Sequence, residues 1–256
     1  MTIGGSDSGA GAGIQADLKT LSAHGVFATT VITSVTAQNT QGVETGETIP
    51  ADLVDAQIRT LYVDLPPDAA KTGLLGREEV VLLVADHAWR LPNLVVDPVL
   101  VDRDGAVLVD RATIAAYREI LIPAAVVATP NHREAALLAG RPIANEAQQS
   151  EVARELARST RTPILVTGGR LGGPRPVDVL SDGLQTHILP GRWVPSRNVH
   201  GTGDALSASI TARLAAGTSL MVAVAEAKAW VARAVAGAAT WRLGRGEGPI
   251  DHFGWS

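Results

Sequence analysis

Two glycine-rich turns, each leading into a helical run, hold the residues of this chain best suited to chemistry. One is His200-Gly201-Thr202-Gly203-Asp204, ahead of an alanine-rich segment at 205–216. A helix N-terminus presents unpaired backbone N–H groups and the positive end of its dipole. Two glycines let an anion approach that backbone, so the turn reads as a cradle for phosphate or an oxyanion. A carboxylate inside such a cradle weakens anion binding unless it has a task, and proton abstraction is the task that fits Asp204. The competing reading is a plain capping turn with an acidic residue in the first helical turn.

The other turn is Gly4-Gly5-Ser6-Asp7-Ser8-Gly9-Ala10-Gly11-Ala12-Gly13, running into Ile14-Gln15-Ala16-Asp17-Leu18-Lys19-Thr20. Gly11 to Ala16 fits the loose G-x-G-x-x-A pattern of dinucleotide sites. That chemistry needs an acidic residue roughly 20 positions on, for a ribose hydroxyl. No Asp or Glu occurs between Asp17 and Glu44, which excludes it. A Walker A loop is excluded too, because the dipeptide Gly-Lys is absent.

The elements that must position these turns alternate along the chain. Strands are predicted at 29–36, 69–73, 94–97, 125–129 and 164–167, then a hairpin of 177–180 and 185–189 turning at Ser181-Asp182-Gly183. Helices are predicted at 14–24, 51–62, 77–87, 110–121, 132–139, 146–158, 203–216 and 220–243. Alternation of this kind implies one α/β domain over 1–256, a mostly parallel sheet covered on both faces. Met1-Thr2-Ile3 leaves little room for a strand before the first glycine turn, as if the start were truncated. The stretch 168–176, rich in Gly, Pro and Arg, reads as a mobile loop. Ligands of such sheets bind beyond the carboxyl ends of the strands. Thr36-Ala37-Gln38-Asn39-Thr40-Gln41-Gly42, Lys71-Thr72-Gly73, Asp97-Pro98, Thr129-Pro130-Asn131 and Thr167-Gly168-Gly169 all collect at that edge.

Composition narrows the function classes. The 256 residues are 46% apolar and 19% charged, with a formal charge of −4. That balance, without any basic block, argues against a nucleic-acid or anionic-membrane partner. There is no cysteine, hence no disulfide framework, thiol nucleophile or thiolate metal site. The expected location is the cytoplasm, since no secretory signal and no membrane-spanning run is visible. Nineteen of the 22 basic residues are arginine; the lysines are Lys19, Lys71 and Lys228. Where arginine is the default, a lysine suggests a site that wants a compact ammonium. Lys228 shares a helical stripe with Val224, Val231 and Val235, so its charge needs a partner. The partner is either solvent, reached by snorkelling, or a ligand phosphate near Gly201–Asp204.

Taken together, these segments resemble the hydroxymethylpyrimidine/phosphomethylpyrimidine kinases of thiamine biosynthesis, within the ribokinase-like superfamily. The resemblance spans nearly the whole chain. It rests on the Gly4–Ser8 and Gly13–Thr20 segments, Thr36–Val43, Lys71-Thr72-Gly73-Leu74-Leu75, Val96-Asp97-Pro98-Val99, Thr129-Pro130-Asn131 with Glu134, His200-Gly201-Thr202-Gly203, Glu226-Ala227-Lys228 and Gly246-Glu247-Gly248-Pro249. It implies a three-layer α/β/α fold, ATP and Mg²⁺ as cofactors, a small-molecule substrate and a homodimer. By position it implies that Gly5, Asp17 and Gln38 line a pyrimidine site walled by Leu74 and Val99. Gly201, Thr202 and Gly203 form the anion hole, with Asp204 and Lys228 catalytic. Asp97 and Glu134 hold Mg²⁺, and Asn131, Thr167, Gly169 and Lys228 face ATP. Two positions depart from the pattern. Asp204 stands where these kinases usually carry cysteine, and Thr167-Gly168-Gly169-Arg170 stands where Lys-Gly-Gly-His is usual, which leaves Arg170 or Arg175 to replace a cation. Pyridoxal kinase is the nearest rival. A non-catalytic ligand-binding relative would be expected to lose Asp204, Lys228 or the metal carboxylates. A sugar kinase would carry more acidic residues near its N-terminus.

Overall fold

The glycine-rich start of the chain is a strand, not only a turn. In the computed structural model, which describes residues 1–169, 171 and 175–256, β1 (Thr2–Asp7) runs through Gly4 and Gly5 and pairs in parallel with β2 (Thr30–Asn39) and β4 (Lys71–Thr72). The expectation that no strand fits there is therefore corrected. Ile3 is fully buried, and the two glycines lie where Leu74 and Ile14 approach the strand closely.

Among the described residues nine strands form one sheet, ordered β3-β2-β1-β4-β5-β6-β7-β8-β9. The remaining strands are β3 (Gly42–Thr48), β5 (Val95–Val96), β6 (Val127–Ala128), β7 (Ile164–Thr167), β8 (Val177–Ser181) and β9 (Thr186–Pro190). The six central strands, β2 to β7 in sheet order, are parallel; β3 and β8 run antiparallel to them at the two margins, and β9, paired antiparallel with β8, returns to the central direction. Strand β3 is not anticipated by the sequence reading; its residues, GVETGET, are exposed and carry no apolar alternation. The predicted Arg170 cation, and most of the predicted 168–176 loop, lie outside the described residues.

Among the described residues eight α-helices cover the sheet: α1 (Gly13–Ala23), α2 (Ala51–Asp64), α3 (Glu78–Asp86), α4 (Arg111–Ala116), α5 (His132–Ala139), α6 (Glu146–Thr160), α7 (Thr202–Ala215) and α8 (Leu220–Gly237). The predicted 110–121 helix leaves α-geometry after Ala116, in a π-turn over Tyr117–Leu121. Alternation of side chains along each strand divides the core between two faces. Val96 and Ala128 pack with Val54, Val81, Leu138 and Leu156 from α2, α3, α5 and α6. Val95, Val127 and Leu165 pack with Leu206, Ile210 and Val224 from α7 and α8. Truncating one of these fully buried leucines to alanine would cost about 2–5 kcal/mol through lost transfer energy and the cavity left behind. The layering matches the expected α/β/α sandwich.

Candidate active site

The two glycine turns meet. Gly201, the N-cap of α7, has φ +80°, and an added β-carbon would lie 1.9 Å from the Gly11 carbonyl oxygen. Only glycine combines that left-handed backbone with so close an approach. Thr202 N donates to Val199 O. Among the described residues the Gly203 and Asp204 amides have no backbone acceptor, and nothing lies within 4 Å of a β-carbon built on Gly203. Of the predicted cradle Gly201–Gly203, the Thr202 amide is thus engaged, and the Gly203 amide stands beside that of Asp204 at the head of a 14-residue helix.

Beneath it lies a buried charge cluster. Asp17 is 1% exposed; it accepts from Thr2 Oγ1 at 2.6 Å and from Lys71 Nζ at 2.7 Å. Both of its oxygens are engaged inside the core. Lys71 is fully buried. Burial alone would lower its pKa, but Asp17, Asp204 and Asp97 together hold it above the usual lysine range. A β-carbon built on Gly73 would lie 3.9 Å from Lys71 Nζ and 4.0 Å from Asp204 Oδ1, so both groups lie close to one point.

Asp97, at the end of β5, accepts from Ser207 Oγ of α7 at 2.8 Å. Burial, reinforced by Asp204 and opposed by Lys71, raises its pKa to about 7. Burial likewise raises Asp17, to about 6, against the pull of Lys71. Glu134 lies well above the usual carboxylate range, through burial and the charge of Asp97. Its two oxygens accept from Asn131 N at 2.8 Å and Leu100 N at 3.3 Å. Asn131 in turn accepts from Arg133 N and Glu134 N, completing a capping box on α5. The side-chain oxygen of Asn131 is thus committed to its own helix. Thr129 Oγ1, one residue beyond β6, and Thr72 Oγ1 are buried without a hydrogen-bond partner.

The pyrimidine-site candidates divide. Gly5 and Leu74 are adjacent: a β-carbon on Gly5 would meet Leu74 Cδ2 at 3.5 Å and Ser34 Oγ at 2.7 Å. Val99, half-buried, follows Asp97. Gln38 stands nearer the joined glycine turns, with Nε2 3.3 Å from His200 Nε2. His200 Nε2 is 3.4 Å from Asp7 Oδ2, and Asp7 gathers the amides of Gly9, Gly11 and Ala12. Sequence reasoning leaves Asp7 and His200 without roles, although an Asp ahead of a glycine run is a recognisable turn former.

The ATP-side candidates sit on β7 and α8. Thr167 N donates to Pro130 O at 3.0 Å, which joins this strand end to the Asn131 turn. Gly169 has φ +51° and is exposed. Lys228 is paired with Asp178 of β8, whose other oxygen accepts from Gly168 N at 3.1 Å. The residue that Lys228 meets in the folded chain is thus a carboxylate, Asp178. Asp178 has no sequence signal of its own, since it reads as one strand residue among apolar neighbours. Arg175 is exposed.

A family model described as phosphomethylpyrimidine kinase matches residues 7–251. The chain belongs to that family. It is 45% identical over 255 residues to the hydroxymethylpyrimidine/phosphomethylpyrimidine kinase of Rhizobium meliloti, covering 99% of this chain and 96% of that protein. Identity to the namesake of Synechococcus elongatus is 43%, with the same two coverages. Among solved structures, the pyridoxal kinase of Bacillus subtilis in its ADP complex superposes with a TM-score of 0.90 at 34% identity, covering 98% of this chain and 96% of that one. The phosphomethylpyrimidine kinase of Clostridium difficile superposes with a TM-score of 0.80 at 35% identity, covering 91% and 97%. As a phosphomethylpyrimidine kinase family member, the chain is a phosphotransferase with the ribokinase-like fold. None of its described helices is long and apolar enough to cross a membrane.

Proposed function

We propose that this enzyme transfers the γ-phosphoryl group of ATP to the hydroxymethyl oxygen of 4-amino-5-hydroxymethyl-2-methylpyrimidine, then phosphorylates the monophosphate to the pyrophosphate. The observation that carries the reading is Asp204 at the head of α7, beside open amides and within reach of a buried ammonium. In the first step the substrate oxygen bonds to phosphorus as the bond to the β,γ-bridging oxygen breaks, and ADP leaves. The alcohol proton passes to Asp204, a contribution of about 10²–10⁴ in rate. The Gly203 and Asp204 amides offset charge on the phosphoryl oxygens; one preorganised donor of this kind is worth roughly 3–4 kcal/mol. Catalysis of this type is mostly positioning and electrostatics.

Asp97 and Glu134 would hold Mg²⁺. Both are buried carboxylates pushed toward their neutral forms, which a cation would reverse. Among the described residues no group of three His, Cys, Asp or Glu could hold a metal, so water and phosphate oxygens complete the shell, as is usual for this ion. When bound, Mg²⁺ supplies charge neutralisation on the ATP phosphates. Thr167, Gly169 and Lys228 stand on the nucleotide side, and we assign the enzyme to the cytoplasm as a homodimer.

Coupled ADP release tests the substrate reading against hydroxymethylpyrimidine, its monophosphate, pyridoxal and ribose. The expected order of kcat/KM places the pyrimidines above pyridoxal, with no turnover of ribose. A higher value for pyridoxal favours the second reading, for which the likeness to solved pyridoxal kinases speaks. Dimerisation is checked by sedimentation.

A further inference from the structure

Four side chains between β1, β2 and the α7 turn form a chain of contacts whose protons can be counted. His200 Nε2 lies 3.4 Å from Asp7 Oδ2 and 3.3 Å from Gln38 Nε2. On the other side of the same amide, Gln38 Oε1 lies 3.2 Å from Thr36 Oγ1, and Thr36 Oγ1 donates to Ser6 O at 2.9 Å.

Asp7 is an anion. Burial would raise its pKa, but the hydrogen bonds from His200, Ala12, Gly9 and Gly11 hold it below the usual carboxylate range. A ring nitrogen facing that carboxylate is satisfied only if it carries a proton. His200 Nε2–H then confronts the Gln38 NH₂ group, donor against donor. Thr36 has one hydroxyl proton, committed to Ser6 O, so Gln38 Oε1 confronts its lone pairs, acceptor against acceptor. A half-turn of the amide removes both conflicts at once. The oxygen and nitrogen of an amide are nearly the same size, so shape does not oppose the turn.

The backbone around the amide is fixed. Ser8 Oγ accepts from Gln38 N at 2.8 Å and donates to Gln38 O at 2.9 Å. The β2–β3 register shifts between Ala37 and Gln38, a bulge that re-aims the side chain. His200 is seated over Gly11, where a β-carbon would meet its Cδ2 at 2.5 Å.

We infer that His200 and Thr36 are positioning residues that set the Gln38 amide with its oxygen toward His200 and its nitrogen toward Thr36, and so decide which ring edge the enzyme accepts. One lone pair on Oε1 and one N–H on Nε2 remain for a ligand. Together they complement a ring nitrogen beside an exocyclic amine. An aminopyrimidine has that edge and pyridoxal does not. The ligand side of this inference rests on the proposed function; the proton arrangement does not.

Two measurements test it. The first is the ¹⁵N shift of the His200 ring in the free enzyme, which needs no substrate. A proton on Nε2 is expected; a ring protonated on Nδ1 alone overturns the assignment. The second is the ratio of kcat/KM for the aminopyrimidine over its analogue lacking the 4-amino group. Thr36→Val and His200→Phe should each lower that ratio about tenfold, mainly through KM, as one hydrogen bond to the amide is lost. Thr36→Ser should restore it. An unchanged ratio in Thr36→Val, at a melting temperature equal to the parent's, overturns the inference even if His200→Phe fails to fold. If neither pyrimidine is phosphorylated, the proposed function fails while the ring-nitrogen result still stands.

Discussion

Gly201 and Gly11 touch through their backbones: a methyl group on Gly201 would fall 1.9 Å from the Gly11 carbonyl oxygen. The turn ahead of α7 is thus braced against the loop that follows the first strand. Gly201→Ala should destabilise the protein by more than the roughly 1–2 kcal/mol of a left-handed non-glycine residue, because the loops must also separate. ATP turnover should fall further than stability does. Thermal unfolding and steady-state kinetics on the same sample check both. A variant of parental stability and rate would show that the two turns are not tightly joined.

Asp204 separates the two chemical steps. Asp204→Asn should slow phosphorylation of the alcohol by about 10²–10⁴ and slow phosphorylation of the monophosphate much less, because a phosphate oxygen brings no proton that must be removed. Asp204→Cys should retain measurable activity in both. Rapid-quench measurement of each step decides the matter. Equal losses in the Asn variant would require Asp204 to act through phosphate or metal geometry.

Lys71 neutralises more than its direct partner. Removing one member of a buried ion pair costs about 3–5 kcal/mol. Lys71→Met should reach that range, since it strands Asp17, Asp97 and Asp204 together. Asp17→Asn should cost less, because two acids still face the ammonium. The double variant should be more stable than the two single losses combined predict. Urea denaturation of all four proteins gives the coupling, and strict additivity would contradict it.

Acid sensitivity should reside partly in His252. Its ring is 5% exposed, its Nε2 has no hydrogen-bond partner, and burial with the nearby Lys19 charge lowers its pKa to about 4. The unfolded chain binds this proton more readily, so the stabilisation is present above the ordinary histidine pKa near 6.5 and is lost as pH falls toward 4. The shift corresponds to about 3 kcal/mol. His252→Phe should flatten the stability profile between those values, read as melting temperature against pH. A slope unchanged from the parent would assign the acid sensitivity elsewhere.

Legibility from sequence followed the range of the interactions. Helix α5 is matched end to end, because Asn131-x-x-Glu134 ahead of an apolar run is a local capping signal. The same local chemistry explains why Asn131 is a cap before it is anything else. The turn at Gly201–Gly203 is legible for the same reason, through glycine spacing and the helix that follows. Strand β1 is hidden, because Gly4 and Gly5 imitate a turn while lying at the centre of the sheet. The ion pair of Asp17 is hidden, because nothing in its own segment announces Lys71, 54 residues away. Asp178 and Ser207 are invisible for the same reason: each acquires its meaning only from a partner on a distant element.

Helix α7 has a further consequence, for the order in which the protein is made. Leu206 and Ile210 of this helix cover Val95, Val127 and Leu165 of the central sheet, and the same helix carries Asp204. On the ribosome these strands emerge long before their cover, so a nascent chain halted ahead of α7 presents a bare apolar sheet face. Synthesis of the carboxylate proposed as the base and closure of the core are one event. No shortened product of this chain ending before α7 can be both well folded and active.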